Sequence, residues 1–246
     1  MTALFAASAM GMALLLAWGF AGLPTLGHAH QRYGVVLNHL AVPQRGATNV
    51  PTAINFDYRA LDTLGEEFIL FAAAMGMALL LREHRDREEH PPSDLEHAGT
   101  PPPAPQLVRL AGRLLCAPVV LFGGYIVLHG VITPGGGFQG GVLLASAPLL
   151  VAVTGGVVLV RRPSPWLVIE GGEGLGAFGY VLIGVAGILA GGALFHNVLP
   201  AGTPRDLLSG GTMLLSNLSV AFEVCGAFVL VISELADRSL VLRSPR

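Results

Sequence analysis

Apolar runs alternate with short polar breaks along almost the whole chain. Residues 1–23 are apolar and carry no charge. A second run extends from near Asp62 to Leu81, and four more lie near 107–130, 138–160, 173–195 and 212–234. Runs of this kind match the ~20 residues that a helix needs to cross hydrocarbon. The pattern predicts an all-α polytopic integral membrane protein of about six transmembrane helices, with no soluble domain. A secretory leader carries a basic region ahead of its apolar stretch. Residues 1–23 have none, so they are read as a membrane helix, although their retention or cleavage stays open.

The polar breaks divide the chain. Residues 24–63 form a connection holding His28, His30, Arg32, His39 and Arg45. The histidine spacing matches no metal-ligand motif, and the stretch is read as a solvated loop. Residues 82–106, REHRDREEHPPSDLEHAGTPPPAPQ, mix both charge signs with six prolines. Such a segment lacks the apolar surface to fold and acts as a linker. It divides the chain into residues 1–82, a linker at 83–106, and a membrane domain at 107–240. Prolines also interrupt the later runs, in PSPW at 163–166 and PAGTPR at 200–205.

The stretch around which this pattern is organised is HGVITPGGGFQGG, His129 to Gly141. Apolar runs flank it on both sides, so it is the hinge of a membrane hairpin. Pro134 cannot continue a helix, and Gly135, Gly136 and Gly137 permit a tight reversal. Gly140 and Gly141 allow another backbone to press on the start of the returning helix.

Composition sharpens this picture. Hydrophobic residues make up 52% and charged residues 12%, against roughly 25% charged in soluble domains. The net charge of −2 points to no nucleic-acid partner. All fourteen basic residues are arginine. With the 82–106 linker inside, ten arginines fall on the cytoplasmic side and four outside. That excess predicts cytoplasmic termini and an external glycine hinge. Cys116 and Cys225 lie in apolar runs, with neither a disulfide framework nor metal spacing.

Three stretches carry a family resemblance. HGVITPGGGFQGGV (129–142), between two apolar helices, resembles the MnhB-type (MrpB) component of multisubunit Mrp-type Na+/H+ antiporters. NLSVAFEVCGAFVLVISEL (217–235) looks like the last helix of that family. ATNVPTAINFDYRALDTLGEEFILFAAAMGMALLLR (47–82) resembles the small MbhE-type module, which makes 1–82 an MbhE-like two-helix unit and 107–240 an MnhB-like four-helix domain. The resemblance implies a non-enzymatic subunit without cofactors that scaffolds the complex and helps to line its ion path. Its implied partners are antiporter subunits of the A, C, D, E, F and G types, with Na+ and H+ as transported ions. Its implied place is among the lipids of a bacterial plasma membrane.

Candidate ion-handling residues cluster at the entry to the second helix. Spacings of three and four place Arg59, Asp62 and Glu66 on one helical face, with Glu67 beside them. Two carboxylates near a membrane favour a shared proton, and an arginine opposes that. Acidic residues also suit a helix N-terminus for its dipole alone, so both readings stay open; the DTLGE string and its family resemblance favour a role for Glu66. Glu223 falls near the centre of the last helix, where a lone charge is costly and faces protein. Hydrogen bonding to Asn217, Ser219 or a neighbouring chain is one reading, proton handling the other. The family often has aspartate where this chain has Glu223. Pro134 and Phe138 are expected to give the hinge its shape, with the turn docking on another subunit and Phe138 filling a pocket. His129 and His196 lie at outer helix ends, where interfacial hydrogen bonding is expected.

Two apparent signals are set aside. Gly174, Gly176 and Gly179 spell GxGxxG but no βαβ unit surrounds them. With Gly184, Gly187, Gly191 and Gly192 they read as a helix-packing surface. Asn217 and Ser219 match a glycosylation acceptor inside an apolar run. Three functions remain: an antiporter subunit, a subunit of a hydrogenase-like or respiratory ion-pumping complex, or an autonomous channel or structural protein. No quinone, flavin, haem or iron–sulfur signature is present in the sequence. One central carboxylate on about six helices, without inverted repeats or broken helix pairs, is little for a complete transporter.

Overall fold

A computed structural model describes residues 2–23, 32–87, 105–155 and 166–241. Residues 1–37 and 38–246 form two compact units. In the first unit, α1 (Thr2–Ala21) is an uncharged apolar helix. The opening of α2 (Arg32–Arg45) belongs to the same unit. The second unit contains α3 (Val50–Ala53), a π-helical turn (Ile54–Tyr58), α4 (Ala60–Arg87) and α5 (Gln106–Leu128). It continues through α6 (Gly137–Gly155), α7 (Trp166–Gly191) and α8 (Met213–Val241). The described residues contain no strand.

Residues 24–63, expected as a solvated loop, are instead helical over much of their length from Arg32 on. His28 and His30 fall outside the described residues. The buried positions here are Leu37, Ala41, Gly46, Ala47, Asn49, Thr52, Ala53, Phe56, Ala60 and Thr63. Most are small side chains of modest hydropathy, so an average over the segment hides a packed face. Arg45, expected in solvent, is in an ion pair: its Nε donates to Asp57 Oδ1 at 2.6 Å, with the Asp57 side chain only 6% exposed. The Arg45 guanidinium also sits 5.6 Å from the Tyr58 ring centroid. Burial pushes the Tyr58 phenol above its ordinary range, against the pull of Arg45.

Four helices are long and apolar enough to cross a membrane: α4 over Ala60–Leu81, α5, α7 over Gly171–Gly191, and α8 over Met213–Leu235. The apolar stretches Ala6–Ala21 and Gly137–Val151 are shorter. The expected count of about six therefore resolves, among the described residues, into four full-length spans and two shorter apolar helices. Most of the linker, residues 88–104, falls outside the described residues, and α4 continues through Arg87 before it.

In α8, 56% of the most apolar stretch is buried within the chain, against 17% in α4 and in α5. It is the central helix of the second unit, on which α4, α6 and α7 pack. α4 runs alongside it in the same direction, with Ala74 and Ala78 packed against Ala227 and Leu230. α7 presses on it so closely that a Cβ on Gly176 would lie 2.4 Å from the Glu223 amide nitrogen. Gly179 likewise faces Ser219, whereas Gly174 faces open space and takes no part in this packing. Such small-residue contacts are how helices approach closely in lipid, where apolar burial alone gives little drive.

The hinge is held from both sides by the chain itself. His129 caps α5, and Gly135 and Gly136 take φ of +140° and +145°. Five carbonyls of this non-helical turn receive donors from residues 48–52. The Asn49 side-chain amide reaches Gly130 O at 2.6 Å, Thr133 O at 2.9 Å and Gly135 O at 3.2 Å. The Asn49 backbone N–H donates to Val131 O, Thr48 Oγ1 to Ile132 O, and Thr52 Oγ1 to Gly130 O. On the other side Gly137 N–H donates to Asn217 Oδ1 at 2.8 Å, while Asn217 Nδ2 donates to Met213 O.

These contacts set the cost of removing them. Asn49→Ala leaves the partly buried Thr133 and Gly135 carbonyls without their side-chain donor, at a cost below the roughly 1–3 kcal/mol of a fully buried group. Thermal unfolding in mild detergent should show a clear loss, larger than for Thr48→Val, which removes one donor. Arg45→Ala strands the Asp57 carboxylate and should destabilise by less than the roughly 3–5 kcal/mol of a fully buried pair. The double variant Arg45→Ala/Asp57→Asn should recover part of that loss in the same measurement.

Candidate ion site between α4 and α8

The carboxylates at the entry to α4 separate onto two faces. Arg59 precedes the helix and forms an ion pair with Asp62; both are exposed, with side chains 56% and 53% accessible. Glu66 lies one turn further along the same exposed face. Glu67, the next residue, turns inward and is 2% exposed. The expected grouping of Arg59, Asp62 and Glu66 is thus an outer face, and Glu67 belongs to a different environment.

Glu67 meets Glu223. The two side chains face each other across the seam between α4 and α8, where Glu223 is fully buried. Asn217 is occupied by Gly137 and Met213 rather than by Glu223. Among the described residues, no other protein donor reaches any of the four carboxyl oxygens. Beside the pair, the buried Tyr180 donates its hydroxyl proton to Ala60 O at 3.0 Å. The Tyr180 ring is fixed between Phe56, edge-on at 6.1 Å, and Phe195 at 4.8 Å.

The hinge residues sit apart from this pair, and the chain's own elements surround them. Pro134 is exposed at the tip of the turn. Phe138 is half-buried and packs against the core that contains Val131, Tyr180 and Val220. Close approach explains the second glycine pair: a Cβ on Gly140 would lie 2.3 Å from Val127, and one on Gly141 2.8 Å from Val224. The His129 ring stacks on Tyr125 at 4.0 Å, with its Nδ1 3.2 Å from Tyr125 O. His196 is exposed just beyond α7, its ring against Gly191. No group of three or more His, Cys, Asp or Glu side chains among the described residues is arranged to hold a metal.

Several residues at these sites do not stand out in the sequence pattern. Glu173, on the turn of α7 before Gly176, is 1% exposed. The rule that singles out Glu223, an acid inside an apolar run, applies to it equally. Asn49 is legible in principle, since a Thr-Asn-Val-Pro string is a helix-start signal. Asp57 interrupts the apolar string AINF just before Tyr58. Asn217, Thr63 and Tyr180 carry no signal of their own, because their importance lies in partners remote in sequence.

A family described as "Domain related to MnhB subunit of Na+/H+ antiporter" matches residues 107–230. An uncharacterized protein of Methanocaldococcus jannaschii is 33% identical over 213 residues, covering 77% of this chain and 76% of that one. Among solved structures, a chain of the membrane-bound sulfane sulfur reductase, an archaeal respiratory membrane complex, is similar with a TM-score of 0.70 and 28% identity. That alignment covers 94% of this chain and 96% of the other. A chain of the Mrp complex from Dietzia sp. DQ12-45-1b aligns with a TM-score of 0.71 and 25% identity over 95% of this chain. This protein spans 26% of that longer chain. The match over half of the sequence, on a frame of apolar helices joined by the HGVITPGGGFQGG hinge, places the protein in the family of domains related to the MnhB subunit of the Na+/H+ antiporter.

Proposed function

We propose that this chain is a non-catalytic membrane subunit of a multisubunit Na+/H+ antiporter, scaffolding the complex and lining part of its ion path. One observation carries this reading. Asp62 and Glu66 are exposed on a membrane-spanning helix, and that helix has only 17% of its most apolar stretch buried within the chain. Exposed carboxylates on such a helix are costly against lipid and are suited to a neighbouring subunit or a hydrated path. The expected neighbours are the other Mrp-type subunits, in a plasma membrane with both termini cytoplasmic. Arg59 on this face is already paired with Asp62, and Glu66 is the residue proposed to meet the transported ion there.

A second reading has its own support. The similarity to a respiratory-complex chain covers 96% of that chain, whereas the similar Mrp chain is about four times longer than its matched part. A protein of this size and arrangement therefore also suits an ion-pumping respiratory assembly. In either setting the outer carboxylate face of α4 adjoins the coupling ion.

Glu66→Gln removes the outer charge without changing volume. Exchange of Na+ for H+ in inverted vesicles is expected to fall at least tenfold while the variant still co-purifies with its partners. Full exchange in this variant would remove Glu66 from the ion path. Phe138→Ala, which opens space in the core beside the hinge, should instead reduce assembly or coupling.

A further inference from the structure

We propose that Glu67 and Glu223 together form one proton-binding site inside the membrane, at the seam between α4 and α8, with Glu66 as its outer neighbour. This deepens the antiporter-type reading and rests on it for the use made of the proton. The two carboxyl groups come from opposite sides of the linker and meet where both are buried. Among the described residues, none of their four oxygens has a protein donor outside the pair. The Tyr180 hydroxyl beside the pair is already engaged, donating to Ala60 O. On the exposed face Arg59 is paired with Asp62. The charged groups acting on Glu67 are Glu66 and Glu223, both acidic.

Two carboxylates in contact, without a donor or a cation, repel each other in a medium that does not screen them. A single proton resolves this, because the protonated carboxyl donates to the ionised one. The proton then has two positions of the same chemical kind. Breaking the O–H bond on Glu67 and forming one on Glu223 moves it from the α4 side to the α8 side without changing the net charge of the pair. Glu67 is adjacent in the chain to exposed Glu66, which gives the site an outer side. On α8 the Glu223 backbone is locked by Gly176 of α7, so the acceptor is held in place. Tyr180, whose hydroxyl is committed, is a further titratable group beside the pair, and the buried Glu173 lies on α7 one turn before Gly176.

Infrared difference spectroscopy of the full chain, purified in mild detergent with the subunits that accompany it, tests this without any transport. The expected result at neutral pH is a protonated-carboxyl C=O band that shifts in D2O. It should disappear in both Glu67→Gln and Glu223→Gln, because either glutamine amide supplies the donor that lets the remaining carboxylate ionise. Asp206→Asn, in an exposed loop, should leave it unchanged, and any band from Glu173 should persist in every variant. A band lost in only one of the two variants would overturn the shared site, as would a wild-type spectrum with no exchangeable band. Where a variant fails to fold, a wild-type spectrum with no exchangeable band still overturns the shared site. A negative spectrum with Glu66→Gln still abolishing exchange would remove the shared site and leave the antiporter reading standing.

Discussion

The arrangement depends on how one membrane hairpin satisfies its turn. A reversal at this place exposes a run of backbone carbonyls that no helix can use, and unsatisfied backbone is costly wherever water is scarce. Here the Thr48–Thr52 segment supplies the donors, with Asn49 alone reaching three carbonyls. The hinge is thus capped by a segment that lies about eighty residues before it in the chain. Asn217 completes the clamp from α8, so three remote segments are fixed together at one end of the second unit.

That clamp sets the register of everything beyond it. With α3 pinned to the hinge, α4 enters beside α8 and runs in the same direction, bringing alanine against alanine further along. In that register Glu67 falls opposite Glu223, and Tyr180 spans to the first carbonyl of α4. Asp62 and Glu66 are left on the outer face by the same rotation. One helix therefore presents carboxylates to both its surroundings and its interior. Glu67 and Glu223 thus come from stretches on either side of the linker but lie within one compact unit, residues 38–246.

The helices and the hinge were legible because each rests on a local property. Apolar length marks α4, α5, α7 and α8, and Pro134 with its glycines marks the reversal. The helical stretch from Arg32 was hidden because small and polar residues make up most of its buried face, with only Leu37 and Phe56 as large apolar side chains. For the site, Glu66, Glu67 and Glu223 are visible as acids in apolar surroundings. That Glu66 faces out and Glu67 in depends on how α4 is rotated against α8, which spacing alone does not show. The meeting of Glu67 with Glu223 depends on long-range register, which spacing within one helix does not encode.

The most direct test of the central claim, that this chain works inside a multisubunit antiporter-type assembly, is affinity purification of the tagged full-length protein from mild detergent with mass spectrometry of its companions. The account predicts recovery of several other antiporter-type membrane subunits in constant ratio. Recovery of the chain alone would contradict it, and co-purification with redox subunits would assign the protein to a respiratory assembly instead.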